Sequence, residues 1–194
     1  MSIRLAVEQD LSQILAIYAP YVENTTVSFE YVPPSAEVFR RRFLDITARF
    51  PWLVWEEQGE ILGYAYACAP FERAAYQWCC EPSIYLRGDA RGRGLGKKLY
   101  TLLEAILKCQ GFRLSYAIIT SENAPSLAFH QAMGYEFLAD FPGCGFKHGK
   151  ILGITWMQKV LNSAETPSNP PVSFPDFVHN AENFQNILAN LSLS

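Results

Sequence analysis

The chain has no C-x-x-C pair, and its five cysteines, Cys68, Cys79, Cys80, Cys109 and Cys144, are odd in number. That argues against a disulfide framework and against a zinc site. Histidine is scarce as well: His130, His148 and His179 stand far apart and form no metal-ligand cluster. No stretch approaches the roughly 18 consecutive apolar residues of a membrane span. The start, Met1-Ser2-Ile3-Arg4, runs into a strand-like segment without the apolar core of a signal peptide. A basic excess is also missing, with 16 Lys+Arg against 19 Asp+Glu, so a nucleic-acid coat is a poor reading. The cysteines read instead as small buried hydrophobes in a reducing cytoplasm.

Lys and Arg are absent from Asn162 to Ser194, where the acids are Glu165, Asp176 and Glu182. The body before that point carries 16 charges of each sign. The tail opens on Ser163-Ala164-Glu165-Thr166-Pro167-Ser168-Asn169-Pro170-Pro171, the composition of an extended linker. We therefore divide the chain into a domain over 1–161, a linker over 162–175 and a C-terminal extension over 176–194. Phe177, Phe184, Leu188 and Leu191 recur at roughly helical spacing behind Pro175 and the cap candidate Asp176, which predicts a short amphipathic helix docked on a protein surface.

With 194 residues, 49% of them hydrophobic and 18% charged, the body can bury a core. Ile3 to Val7 alternates as a strand. Asp10 is placed to cap a helix through Leu11, Ile14, Leu15 and Tyr18, which Pro20 should end or kink. A second helix follows Pro33-Pro34-Ser35, with Val38, Phe39, Phe43 and Ile46 on its apolar side. Trp52 to Trp55 and Ile61 to Ala67 form a hairpin. Further strands are predicted at Cys79–Leu86, Leu114–Ile119, Tyr135–Asp140 and Ile151–Val160, with helices at about Gly94–Cys109 and Ala124–Met133. Interleaved strands and helices make the class α/β or α+β with a mixed central sheet.

The most informative segment is Tyr85-Leu86-Arg87-Gly88-Asp89-Ala90-Arg91-Gly92-Arg93-Gly94-Leu95-Gly96-Lys97-Lys98-Leu99. It passes from a strand through a turn into a helix. Glycines let the backbone approach a ligand, and the first helical N–H groups have no internal acceptor, so the segment reads as a pyrophosphate cradle. On this reading a side chain at position 94 or 96 would fill the ligand's space. The dinucleotide fingerprint G-x-G-x-x-G fails because Lys97 stands at its third glycine, and the P-loop pattern fails at Arg91 and Lys98.

Arg91-Gly92-Arg93-Gly94-Leu95-Gly96 does fit R/Q-x-x-G-x-G/A, and in this it resembles the GNAT N-acetyltransferases. Five further blocks, in order, are similar to the phosphinothricin and methionine sulfoximine/sulfone acetyltransferases within that superfamily: Asn24 to Glu30, Arg73 to Tyr76, Glu81 to Tyr85, Ser121 to Ser126 and Phe146 to Lys150. The resemblance covers Ile3 to Leu161 and leaves out the tail. It implies the GNAT fold, whose central strands splay, the first of them bulged, to hold acetyl-CoA. It also implies a homodimer, no metal, and a small amine as acceptor. The cofactor would lie on Ile84, Tyr85, Leu86, Arg91, Gly92, Arg93, Gly94, Leu95, Gly96, Lys97, Asn123 and Ser126.

An ammonium has no lone pair to attack a thioester, so amine acetylation needs a base, oxyanion donors and a proton for the leaving thiolate. Glu81 is a carboxylate in an otherwise apolar strand, and the resemblance implies that it is the base. Glu81, Ser83 and Tyr85 share one strand face. Tyr85 and His130 complete the catalytic candidates. His130 stands where many relatives have a tyrosine acid, and it reads equally as a packed histidine; Tyr116 is as ambiguous. Asn123 and Ser126 suit helix capping and contact with the cofactor arm alike. Phe29, Glu30, Arg73 and Tyr76 match segments that line the acceptor pocket, an Arg fork being suited to a carboxylate. Three departures stand out: Pro82 for a common His, Gln77 for a common basic residue, and Ile151-Leu152-Gly153 in place of Trp-x-Asp. The implied activity is acetyl transfer to the amine of an amino-acid-like compound. Another small amine, a peptide N-terminus, or a non-catalytic acyl-CoA-binding module remain the alternatives.

Overall fold

The computed structural model describes residues 2–163, 169–179 and 187. Seven strands form one sheet in the order β1-β2-β3-β4-β5-β7-β6. They are β1 (Ser2–Leu5), β2 (Trp52–Glu57), β3 (Glu60–Cys68), β4 (Cys79–Leu86), β5 (Leu114–Thr120), β6 (Glu136–Lys147) and β7 (Lys150–Val160). Every pairing is antiparallel except β4 with β5. Among the described residues, five helices flank the sheet: α1 (Leu11–Asn24), α2 (Ala36–Thr47), α3 (Leu95–Gln110), α4 (Ala124–Ala132) and α5 (Phe174–His179). No helix among the described residues is long and apolar enough to cross a membrane.

Strand alternation sorts the core into two layers. Trp52, Val54 and Tyr64 face α1 and α2, where Ile14, Ile17, Phe39 and Phe43 cover them. Leu53, Trp55, Leu62, Ala65 and Cys80 face α3, against Leu99, Leu103 and Leu107. Farther along the same side, Tyr100 packs with Ala117, Ile119, Tyr135 and Met157, and α4 adds Leu127 and Phe129.

The parallel ladder of β4 and β5 is two rungs long, Cys79↔Leu114 and Cys80↔Ser115. Beyond it the strands part, while β4 keeps its full ladder with β3 from Cys68↔Glu81 to Gly63↔Leu86. The splay is therefore present. The bulge implied for β4 is not: that ladder runs without a shift, and the irregularity lies between Trp55 and Glu56 on β2.

Several local expectations are corrected. Of the two outcomes expected at Pro20, an end to the helix is overturned: Pro20 sits inside α1, which continues to Asn24, and burial of Ile14, Ile17, Tyr18 and Val22 outweighs the one backbone bond that proline removes. Asp10 does not cap α1; its carboxylate accepts from the Val7 N–H at 2.8 Å and from Arg4 at 2.6 Å. Val38 is exposed although Phe39 and Phe43 are buried. β6 runs past Asp140 to Lys147, because the Pro142-Gly143 stretch is absorbed in a register shift between Phe141 and Gly145. In the tail, α5 starts at Phe174, and Ser173 rather than Asp176 holds the cap, its hydroxyl accepting from the Asp176 N–H at 3.4 Å. Phe174 and Phe177 enter the α3-side core with Phe50 and Phe112. Phe184, Leu188 and Leu191 lie outside the described residues.

Candidate active site

The turn between β4 and α3 has the geometry of an anion cradle. Gly92 and Gly94 have φ of +75° and +78°, values that favour glycine, and Gly94 forms the left-handed N-cap of α3. The first N–H groups of α3, on Leu95, Gly96 and Lys97, open toward the turn, and the first bond back to it is Lys98 N–H to the Gly94 carbonyl at 3.3 Å. A Cβ at Gly92 or Gly94 would meet nothing within 4 Å, so these positions border open space. Gly96 differs from the expectation. Its Cβ would make ordinary contact with the Ile84 and Leu86 side chains at 3.4 Å, so this position faces β4 rather than open space, and only a side chain longer than Ala would crowd it. Of the cradle's cations, Arg93 is committed to Glu57 at 2.8 and 2.9 Å. Arg91 lies over the Tyr21 ring at 5.1 Å and Lys98 over Trp55 at 5.9 Å.

The splay of β4 from β5 makes a narrow cleft of about 70 Å³, lined among others by Val27, Ile84, Ile119, Asn123, Ser126 and His130. Arg87 N–H bonds to Leu62 on β3 at 2.8 Å. By alternation, Leu86, Ile84 and Pro82 turn their backbone groups the other way, into the cleft. The Tyr21 hydroxyl closes the Leu86 pair, donating to its carbonyl at 2.6 Å and accepting from its N–H at 3.3 Å. Ile84 thus offers the open N–H and C=O, and Pro82 places its missing donor where the ladder with β5 has already ended. Across the cleft, Asn123 caps α4 by accepting from the Ser126 N–H at 3.3 Å.

Glu81 stands at the fork of the V, one residue past the last β4–β5 rung. Among the described residues its carboxylate has no hydrogen-bond or ion-pair partner, and burial alone raises its pKa to about 7. A carboxyl poised there accepts a proton readily near neutral pH.

The other two catalytic candidates are differently placed. Tyr85 is a core ring, packed at 5.0–5.4 Å from Tyr18, Tyr21 and Tyr64, and burial holds its hydroxyl far above its usual range. His130 is buried with both ring nitrogens engaged. Nδ1 lies 2.8 Å from the Ser126 carbonyl, which can only accept, so Nδ1 carries the proton; Nε2 then accepts from the Tyr100 hydroxyl at 2.9 Å. Burial lowers the His130 pKa. His130 therefore has no free ring proton for the cleft, whereas Tyr85 lines the cleft and its hydroxyl has no hydrogen-bond partner among the described residues.

On the α1–α2 face, the Tyr18 hydroxyl donates to Glu30 at 2.8 Å, and Arg42 of α2 pairs with the same carboxylate at 2.5 Å. Phe29 packs against Gly145, where a Cβ would sit 2.3 Å from its ring. Lys147, 2% exposed, donates to the carbonyls of Val22 and Ser28 at 2.7 and 2.6 Å. Arg73 starts the turn that carries Tyr76. Tyr76 meets Phe71 at 4.7 Å, and Phe71 in turn stacks near Trp156 at 5.9 Å. No group of three potential metal ligands occurs among the described residues.

The acetyltransferase (GNAT) domain profile matches residues 3–156. The chain belongs to the GNAT acetyltransferase family. It is 40% identical over 174 residues to an L-methionine sulfoximine/L-methionine sulfone acetyltransferase of Pseudomonas paraeruginosa, covering 87% of this chain and 98% of that protein. It is 38% identical over 169 residues to a phosphinothricin N-acetyltransferase of Alcaligenes faecalis, 85% of each chain being covered. A crystal structure of a GNAT superfamily phosphinothricin acetyltransferase from Sinorhizobium meliloti in complex with acetyl-CoA superposes with a TM-score of 0.84 at 38% identity, covering 90% of this chain and 96% of that one.

Of the residues singled out in the sequence, Ile84, Tyr85, Asn123, Ser126 and His130 line the cleft; Glu81 lies on β4 beside the last β4–β5 rung, the cradle glycines on the turn after β4, and Arg73 and Tyr76 on the turn before it. Sequence reasoning missed Tyr21, Arg42, Tyr100 and Lys147. Lys147 carried a signal, being a lysine flanked by Phe146 within a strand; the other three sit on helices among ordinary core or surface neighbours.

Proposed function

We propose that this enzyme transfers the acetyl group of acetyl-CoA to the α-amine of a small amino-acid-like acceptor of the phosphinothricin or methionine sulfoximine/sulfone class. The observation that carries this reading is Glu81, an unpartnered carboxyl held near pKa 7 at the fork of the cofactor cleft. The pyrophosphate sits on the Gly92–Lys97 turn with Arg91 beside it, and the pantetheine arm follows Ile84, Asn123 and Ser126. Glu81 takes a proton from the acceptor's ammonium, directly or through one water. The freed lone pair attacks the thioester carbonyl, forming the C–N bond, and the oxyanion faces the open Ile84 backbone donor. Collapse breaks the C–S bond, and the thiolate takes up the proton that the nitrogen sheds.

Two further readings accompany it. β6 is a sheet edge bearing exposed Phe137, Phe141 and Phe146, with Ile151 beside them on β7, and we propose that a second copy of the chain covers this apolar edge. Sedimentation should give a dimer mass, and a monomer at all concentrations would refute it. All five thiols are free, Cys109 and Cys144 exposed, which suits a reducing cytoplasm.

A thiol-release screen over amino acids, their sulfoximine and phosphinic analogues, and simple polyamines tests the reaction. Acetyl-CoA-dependent turnover of the amino-acid series supports the reading. Acetyl-CoA binding with no turnover of any amine would mark a binding module instead.

A further inference from the structure

Glu30 is one carboxylate serving two cations. Arg42 Nη2 pairs with its Oε1 at 2.5 Å, and Lys147, within its electrostatic reach, is buried on backbone carbonyls alone. The Tyr18 hydroxyl donates to the other Glu30 oxygen at 2.8 Å and lies 2.9 Å from Ser28 Oγ, so the carboxylate is held still. Around Glu30 the wall beside the acceptor loop therefore carries two cations, Arg42 and Lys147, against one carboxylate, with Glu81 farther along the same sheet face. Burying a charge without a full counter-charge is expensive, and a site built this way favours an anionic group of its ligand.

Arg42 is the member able to reach a ligand. It is half-buried, with 31% of its side chain exposed, and its bond to Glu30 leaves other N–H groups of the guanidinium unused. Its helix packs through Phe39 and Phe43 on Trp52, which stacks on Tyr66 at 4.2 Å. Tyr66 and Cys68 are the cross-strand partners of Ser83 and Glu81. This places the guanidinium on the sheet face that bears the candidate base.

We infer that Arg42, oriented by Glu30 and backed by the buried charge of Lys147, takes the role the resemblance gave to Arg73: it reads the acceptor's carboxylate and so selects amino acids over amines that lack one. The inference rests on the reaction proposed above. Its test uses the full chain with one amino acid that the enzyme acetylates and the carboxamide of the same amino acid. The wild type should favour the acid. Arg42→Met should lower kcat/KM for the acid roughly 10- to 100-fold, mainly through KM, the size of a lost charge-assisted hydrogen bond. The carboxamide should respond by less than about threefold, having no charge for the fork to bind. The KM for acetyl-CoA should not move. Arg42→Lys, which keeps the charge and loses the fork, should fall between. Comparing variant with wild type for each acceptor cancels their different amine basicities.

Equal use of acid and carboxamide by the wild type would overturn the inference, and so would an equal loss on both in Arg42→Met. If Arg42→Met does not fold, Arg42→Lys and the wild-type preference decide by the same criteria. Absence of turnover with every amino acid would overturn the proposed reaction and this inference with it. Turnover without preference for the acid overturns the inference alone.

Discussion

At the scale of single residues, the burial that raises the Glu81 pKa, and so suits it to the base role proposed above, also works against the fold. Its carboxyl titrates near 4.5 when unfolded and near 7 when folded. Because the folded-state pKa is raised, the unfolded chain releases its proton first, and stability falls as pH rises from about 4.5 to 7. Glu81→Gln keeps the shape and removes the charge. Thermal melts should therefore show variant and wild type alike at pH 4, and the variant more stable at pH 8. Equal melting temperatures at both values would show that the carboxylate is better solvated than its position implies. His130 gives a second case: Tyr100→Phe leaves Nε2 buried without a donor and should cost about 1–3 kcal/mol in a denaturant titration. Such cross-helix pairs are invisible to periodicity, which marks Tyr100 only as apolar-facing.

At the scale of elements, the two cradle glycines should fail in different ways. Gly94 has φ +78° and borders open space, so Gly94→Val strains the N-cap by about 1–2 kcal/mol and fills the anion site. Gly96 has an ordinary helical backbone, but its missing side chain faces Ile84 and Leu86. Gly96→Val should wedge α3 off β4 and cost about 1–3 kcal/mol of overpacking. Calorimetric titration with CoA, paired with melting curves, should show lost binding in both and the larger destabilisation at the 96 position when valine is replaced there. Intact CoA affinity in Gly94→Val would remove the cradle from the account. The strand–turn–helix around these glycines was legible because its signals are local: alternation, glycine spacing and an apolar helix face. β4 was placed to the residue for the same reason. The continuation of α1 past Pro20 and of β6 past Pro142 was not legible, since packing against distant strands decides both.

For the whole molecule, the described part of the tail, including Phe174 from the segment read as linker, enters the core. Phe174 and Phe177 are buried with Phe50 and Phe112, and the Gln110 side chain donates to the Val172 carbonyl at 2.9 Å. The Phe174 N–H donates to the Arg49 carbonyl at 3.0 Å. Each phenylalanine contributes about 1.5–3 kcal/mol by burial. Deleting residues 163–194 should therefore lower the melting temperature by roughly 5 °C or more. The truncated protein should still bind CoA, because the cradle and cleft lie before residue 163. An unchanged melting temperature would make the extension passive. The docking of Phe174 and Phe177 was not readable, because the receiving residues, Arg49, Phe50, Gln110 and Phe112, come from the ends of two helices far apart in sequence.

The central claim is that Glu81 is the base of an acetyl transfer, and the pH dependence of kcat/KM for wild type and Glu81→Gln tests it most directly. The wild-type profile should rise with an apparent pKa near 7. In Glu81→Gln that limb should vanish and the plateau should drop about 10²- to 10⁴-fold, the usual contribution of a positioned base, with acetyl-CoA affinity retained. A variant that keeps both the limb and the wild-type rate would contradict the account.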